Sequence, residues 1–377
     1  MLYAAADNNL DPYGKVDMNE LEMVGSTPGE VNIVVMLDLY DEEGTWIYYV
    51  EQDDDTDVIN SPRVANFTEQ NTGDPSTLTG FIEYCRDNYP AERNVLVLWD
   101  HGSSFIGVCW DEHTGVPGVE EDHLTHENIT EALSGYEIEV LGLDACIQAF
   151  IEVAYEYYVS EVDVGYLVGS EGFVPYDGNP YDQIAGKLVG NPDIETEDFL
   201  TFWADAYTNY YEERKGEMRE IISCTLSVIN VGMMGDVVTG LGNLTDALES
   251  DLKTNHGLIS AAMGEGMMPW GIHGWGGALV DLVSFVDYLS PHFDEAATLS
   301  EILHSAVNVS NTIPMESCNT GGLGIFFPPS YHSFRRNPWW WDGWGELYEN
   351  TKFAKQGWLD FLHTYWNDYG RGKGCKH

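Results

Sequence analysis

Cys146 and His101 are the two side chains in this sequence whose setting suits nucleophilic chemistry. Cys146 ends the apolar run Ile138-Glu139-Val140-Leu141-Gly142-Leu143-Asp144-Ala145 and opens a stretch with helical spacing, residues 147–158. His101 follows a second apolar run, Asn94-Val95-Leu96-Val97-Leu98-Trp99, which Asp100-His101-Gly102-Ser103 interrupts. Both runs have the pattern of buried strands, and the last side chains of a strand emerge at the sheet edge where α/β sites are built. If the two strands are neighbours, thiol and imidazole emerge together. A thiol beside a base, and at the positive end of a helix, is biased toward the thiolate that attacks carbonyl carbon. Gly102 lets the backbone approach a substrate closely, and its N–H together with that of Cys146 could hold the oxyanion of an acyl intermediate. Asp144 lies two residues before Cys146 and so on the same strand face, where its carboxylate could enter the same cleft or cap the following helix. A cysteine after a strand is also an ordinary buried apolar residue. Spacing alone leaves the two readings open.

The elements that must position this pair alternate along the first 190 residues. Strand patterns at 1–6, 31–39, 45–51, 94–99, 138–143 and 164–170 are interleaved with helical patterns at about 7–24, 74–89, 127–133 and 147–158. This alternation predicts a mostly parallel sheet covered on both faces. Residues 171–180, with Pro175, Asp177, Gly178 and Pro180, read as a loop. The second half is more helical, at 195–214, 235–252, 279–289, 299–306 and 348–366, with strand-like runs at 222–230 and 323–327 that could extend the same sheet. A soft division follows: residues 1–215 carry the histidine and cysteine segments, and residues 216–377 form the helical part. Trp339-Trp340-Trp341 and Trp344 are either packing residues or a stacking surface.

Composition narrows the function classes. The 377 residues carry 63 acidic against 16 basic side chains, a net charge of −47, and 44% are hydrophobic. That field repels nucleic acid and anionic lipid, so neither is an expected partner, while the apolar content rules out a disordered chain. The charge suits salty surroundings or attraction of basic ligands. The six cysteines form no CxxC pair, which argues against a zinc knuckle. No run of 18 apolar residues is long enough to span a membrane. Met1-Leu2-Tyr3-Ala4-Ala5-Ala6 reads as a strand rather than a leader, so an export signal is expected upstream of this sequence. Two metal readings arise. Asp53-Asp54-Asp55-Thr56-Asp57 offers oxygen ligands for calcium without the full spacing of a calcium loop; His113, Asp122, His123 and His126 share one polar stretch that looks mobile.

Leu2-Tyr3-Ala4-Ala5-Ala6-Asp7-Asn8-Asn9-Leu10 resembles the opening strand and Asp-Asn turn of the clostripain family of cysteine peptidases. Val97-Leu98-Trp99-Asp100-His101-Gly102-Ser103 is similar to that family's histidine motif, and the segment from Leu143-Asp144-Ala145-Cys146 through Glu156 to its nucleophile motif. The likeness continues through Val168-Gly169-Ser170-Glu171, Asp177-Gly178, Thr225-Leu226-Ser227-Val228-Ile229, Gly322-Leu323-Gly324-Ile325-Phe326-Phe327-Pro328 and Tyr348, Phe353, Trp358 and Phe361. The resemblance implies a caspase-like three-layer α/β fold, with His101 as acid/base and Cys146 as nucleophile. It also implies a secreted or cell-surface enzyme that cleaves protein or peptide substrates after arginine or lysine, with Asp144 lining the pocket for that side chain and Ser170, Glu171 and Asp177 as further substrate-binding residues. The thiol chemistry requires no cofactor; calcium is a candidate one, with its site unplaced. The sequence departs from the family in having Gly172-Phe173 where some members carry a further acid, and in having no Lys or Arg between Arg93 and Lys187 for an activating cut. The alternatives are a peptidase cutting after uncharged residues and an inactive, caspase-like binding module.

Overall fold

In the computed structural model, which describes residues 1–42, 44–214, 224–268, 278–311, 320–335 and 344–369, the apolar runs pair into one large sheet. The described strands in chain order are β1 (Leu2–Ala6), β2 (Val34–Leu39), β3 (Trp46–Tyr49), β4 (Arg63–Asn66), β5 (Val95–Trp99), β6 (Val108–Asp111), β7 (Asp122–Leu124), β8 (Glu137–Asp144), β9 (Asp163–Gly169), β10 (Thr225–Asn230), β11 (Leu279–Asp281), β12 (Val307–Asn311) and β13 (Gly324–Phe326). Nine of them form the main sheet in the order β12-β10-β9-β8-β5-β1-β2-β3-β4. Its centre, β2-β1-β5-β8-β9, is parallel, and both flanks are antiparallel. β1 and β2 are buried along their whole length, as central parallel strands covered on both faces must be.

Alternate side chains feed two cores. Tyr3, Ala5, Met36, Leu96 and Leu98 pack on one face against helices Pro75–Asn88, His126–Ala132 and Ile151–Val159. Leu2, Ala4, Val35, Leu37, Val97 and Trp99 pack on the other against helices Asp11–Glu22, Tyr181–Gly190 and Thr196–Arg214. The result is a helix–sheet–helix sandwich, the three-layer α/β arrangement expected. The later helices, including Met234–Glu249, Leu252–Gly266 and Asp294–Ala306, enlarge the first core. No helix among the described residues is long and apolar enough to cross a membrane.

Several expectations need correction. The run at 323–327 does not extend the main sheet; β13 pairs with β11, because residues 279–281 are a strand rather than the first turn of a helix. That helix starts at Leu282, where the Asp281 carboxylate caps it by accepting from Ser284 N–H. The terminal helix is broken between Trp344–Asn350 and Trp358–Tyr369, with Gly357 at φ +98° in the join. The stretch after Asp111 is framed, not loose: β6 and β7 pair, and Thr125 with Asn128 forms a capping box for the next helix. Trp344 packs at 4.3 Å from Phe105 and 5.7 Å from Phe326, whereas Trp339–Trp341 lie outside the described residues.

One buried acid joins the sheet layers to the C-terminal part. Glu152 Oε1 accepts from Phe326 N–H (2.9 Å) and Tyr348 Oη–H (3.0 Å), while Oε2 is buried with no partner. Burial pushes its carboxyl from 4.5 up to about 7. The folded chain therefore keeps a proton here that the unfolded chain releases. The group's stabilising contribution is full below about pH 4.5 and is lost as pH rises through about 7. Glu152→Gln keeps an acceptor without the titration. Compared with wild type in denaturant unfolding on both sides of this window, it is expected to escape a loss of about 3 kcal/mol. Identical pH profiles for the two proteins would refute this account.

Candidate active site

β5 and β8 are adjacent and parallel, in a register that sets Leu98 beside Leu143 and Trp99 beside Asp144. Asp100 N–H continues the ladder by donating to the Asp144 carbonyl (3.2 Å). His101 and Cys146 therefore leave the same end of the sheet from neighbouring strands, each two residues past the last paired position. Gly102 lies flat against the cysteine segment. A Cβ there would sit 2.7 Å from each of Ala145 Cβ, the Cys146 carbonyl oxygen and Gln148 Nε2, so no larger residue fits without displacing backbone.

The cysteine's setting differs from the expected one. The helix after it begins at Ile151, not at Ile147, so Cys146 is not at a helix N-terminus. The intervening residues are drawn into a loop by long-range bonds: Ile147 N–H donates to the Gly172 carbonyl (2.8 Å), and the N–H groups of Gln148 and Ala149 both donate to that of Ser170 (2.7 and 2.9 Å). Ile147 takes the left-handed conformation at φ +60° to make the turn. Cys146 Sγ accepts from Val174 N–H at 3.3 Å. Burial dominates, aided by the charges of Asp144 and Asp100, and pushes the thiol up to about 11. His101 Nε2 lies 2.9 Å from Asn9 Oδ1, and burial holds its imidazole below the ordinary range. Burial thus favours the neutral forms of both the thiol and the imidazole.

Asp144 is buried at the end of β8. Its Oδ2 accepts from Tyr181 Oη–H (2.7 Å) and Asn179 N–H (3.2 Å), and its Oδ1 is buried with no partner. It does not cap the following helix. A second carboxylate approaches from the first helix: Asp17 Oδ2 accepts from Trp99 Nε1–H (2.6 Å), while its Oδ1 also lacks a partner. Gly178, at φ +57°, separates the two acids, its Cβ direction pointing 3.2 Å from Asp144 Oδ2 and 3.3 Å from Asp17 Oδ2. Burial raises both carboxyls, and the charge of Asp144 raises Asp17 further. Asp177 is half-buried on the same loop. Ser170 and Glu171, at the start of that segment, are fully buried. Ser170 Oγ accepts from Gly172 N–H (3.1 Å), and Glu171 Oε2 accepts from Gly322 N–H (3.0 Å).

Asn9, Asp17, Gln148 and Val174 are the residues that sequence reasoning missed. Their signal is tertiary: Asn9 meets His101, and Val174 meets Cys146, across long loops. Among the described residues, neither metal reading gathers three ligand atoms at one point. Both ring nitrogens of His126 are engaged, by Tyr157 Oη (2.9 Å) and the Ser104 carbonyl (2.9 Å). His123 stacks on Trp110, and His113 Nδ1 meets Asp7 (2.9 Å). In the exposed acidic run, Asp53 and Asp55 accept from the N–H groups two residues on, forming solvated turns.

Comparison with known proteins points in one direction. A model of the clostripain family matches residues 2–364. Clostripain of Hathewaya histolytica is 27% identical over 230 residues, covering 53% of this chain and 44% of its own length, so the chain spans less than half of that relative. A secreted C11 cysteine protease from Bacteroides thetaiotaomicron, in complex with an irreversible peptide inhibitor, shares the fold over 95% of this chain and 98% of its own (TM-score 0.72, 17% identity). An inactive zymogen C11 protease from Parabacteroides distasonis does so over 94% and 96% (TM-score 0.66, 20% identity).

Proposed function

The chain belongs to the clostripain family of cysteine peptidases, and from that premise we propose that it is a secreted or cell-surface endopeptidase that cuts protein and peptide substrates after arginine or lysine. The observation that carries this reading is the register of β5 against β8, which brings His101 and Cys146 off one rim of the sheet with Gly102 pressed against the cysteine backbone.

The reaction follows from the groups at that rim. His101, kept neutral by burial, takes the thiol proton as Cys146 Sγ forms a bond to the scissile carbonyl carbon. The backbone N–H groups of Gly102 and Cys146 hold the oxyanion. Collapse of this intermediate breaks the C–N bond, and the imidazolium returns its proton to the departing amine. Water, deprotonated by His101, then attacks the thioacyl-enzyme; the carboxylate leaves and the thiol is regenerated. No cofactor enters these steps. Asp144 faces the cationic side chain, Asp177 adds charge at the loop, and Ser170 with Glu171 holds the start of that segment. With no Lys or Arg between Arg93 and Lys187, a chain with this specificity cannot cut itself there: it works without that cut or is cut there after another residue type.

Thiol alkylation tests the reading. Cys85 and Cys109 are buried and Cys146 is half-buried, so iodoacetamide is expected to abolish peptide hydrolysis in step with modification of Cys146 in peptide maps, more slowly in His101→Ala. Peptide binding without hydrolysis, whatever the thiol state, would identify a caspase-like binding module instead.

A further inference from the structure

The segment that joins the cysteine to Asp144 carries two large rings open to solvent: Phe173 is 49% exposed and Tyr176 60%. Tyr176 stacks on Tyr13 of the helix Asp11–Glu22, with ring centroids 5.1 Å apart and planes 14° from parallel. We propose that Tyr176, stacked on Tyr13, and Phe173 form an aromatic shelf that binds an apolar side chain of the substrate, that of the residue immediately before the arginine or lysine. The identity of this occupant rests on the peptidase reading.

The shelf is pinned at both ends. Towards the nucleophile, the Gly172 carbonyl accepts from Ile147 N–H (2.8 Å), and Val174 N–H donates to Cys146 Sγ (3.3 Å). Towards the acid, Asn179 N–H donates to Asp144 Oδ2 (3.2 Å), and Tyr211 Oη–H to the Gly178 carbonyl (2.6 Å). Between these anchors Gly178 N–H donates to the Pro175 carbonyl (3.0 Å), which closes a four-residue turn with Tyr176 and Asp177 at its tip. Tyr176 therefore stands between a bond to the sulfur and a bond to the pocket acid. Tyr13 lies one turn before Asp17, so ring and carboxyl share a helix face. Val16, three residues after Tyr13 and 51% exposed, continues the apolar surface. Rings held this firmly offer a large apolar area and lose little freedom when a ligand covers them. An apolar surface left open beside a cleft is the kind that marks an interaction site.

Sheet order sets which part of the substrate meets the shelf. β8 lies between β5 and β9; His101 follows β5, Cys146 follows β8 and the shelf follows β9. On the proposed mechanism His101 returns a proton to the departing amine, so that half of the substrate lies on the β5 side. The acyl half, whose basic side chain enters beside Asp144, then extends towards β9 and the rings. Asp177 at the same tip, in a chain of net charge −47, disfavours an acidic residue there. The class selected is aromatic or large aliphatic.

The test uses the full chain as Cys146→Ala, so that binding is read without cutting. Fluorescently labelled peptides that differ only in the residue before a fixed arginine (phenylalanine, glycine or aspartate) are titrated by anisotropy. The phenylalanine peptide is expected to bind roughly 10-fold tighter than the glycine one, and the aspartate peptide weaker than either. Adding Tyr176→Ala is expected to erase the preference for phenylalanine with the glycine peptide little changed, whereas Tyr176→Phe keeps it. Equal affinity for the phenylalanine and glycine peptides overturns the proposal, as does a preference that survives Tyr176→Ala; should that variant not fold, a preference undiminished in Phe173→Ala does the same. Hydrolysis by wild type is measured on the same peptides. Cleavage without a phenylalanine preference in binding sinks the shelf alone, and a preference in binding without cleavage sinks the peptidase reading alone.

Discussion

Cys146→Ala is expected to lower kcat/KM on peptide substrates by on the order of 10⁴-fold or more, with the fold intact. On the proposed mechanism the substitution removes the atom that forms the thioacyl bond, and the residue is half-buried in a loop, so little packing is lost. The setting of Cys146 constrains the proposed mechanism. Burial pushes the thiol up to about 11 and holds the His101 imidazole down, which disfavours a standing thiolate. On the proposed mechanism the proton then passes to His101 as the bond to carbon forms. His101→Ala should therefore cost nearly as much as Cys146→Ala, and the double variant no more than either single one, because the two groups act as a unit. Steady-state kinetics with thermal unfolding on the same preparations checks this. Additive losses, or a Cys146→Ala enzyme that keeps most of its activity, would remove Cys146 from the nucleophile's role.

Much of this arrangement could be read from single segments. The apolar runs ending in Trp99 and Asp144 could only be buried strands, and both became central parallel strands with the histidine and cysteine past their ends. Their pairing with one another is a tertiary fact, and the spacing of either segment says nothing about it. Misreadings cluster where local pattern was overridden. The residues after Cys146 have helical spacing, yet the helix waits until Ile151 because the N–H groups of Gln148 and Ala149 are taken by Ser170. β4 was missed because Arg63-Val64-Ala65-Asn66 is a short, polar edge strand, stabilised by the Arg63 guanidinium 4.0 Å above the Trp46 ring rather than by apolar alternation. The helix Tyr181–Gly190 was hidden behind Gly178 and Pro180, turn residues that here lead directly into its first turn. Asp17 shows the same limit at the site: on its own helix it is one acid among several, and only the fold sets it across Gly178 from Asp144.

Asp144→Asn is expected to reduce kcat/KM for peptides cut after arginine or lysine by roughly 10²- to 10³-fold while leaving uncharged peptides little changed. The estimate rests on removing one partner of a buried charge pair, worth about 3–5 kcal/mol. Asparagine is close in shape and can still accept from Tyr181 Oη–H and Asn179 N–H, so the pocket wall should survive and the loss should report charge. The wild-type carboxylate has an oxygen to spare for a guanidinium or ammonium, since Oδ1 has no partner. Asp17, with its own unpartnered Oδ1 beyond Gly178, places a second buried carboxyl beside the same loop. The same burial gives the pH dependence a direction. With the Asp144 carboxyl raised above its ordinary range, the free enzyme loses the anion, and with it affinity for basic side chains, at a higher pH on acidification than a solvated carboxylate would. In Asp144→Asn that acidic limb should shift or flatten. A fluorogenic panel varying only the residue before the cut, run across pH on both proteins, decides the matter. If wild type cleaves after an uncharged residue as fast as after arginine, or the variant keeps the same ratio between them, Asp144 does not read charge and the pocket selects by shape.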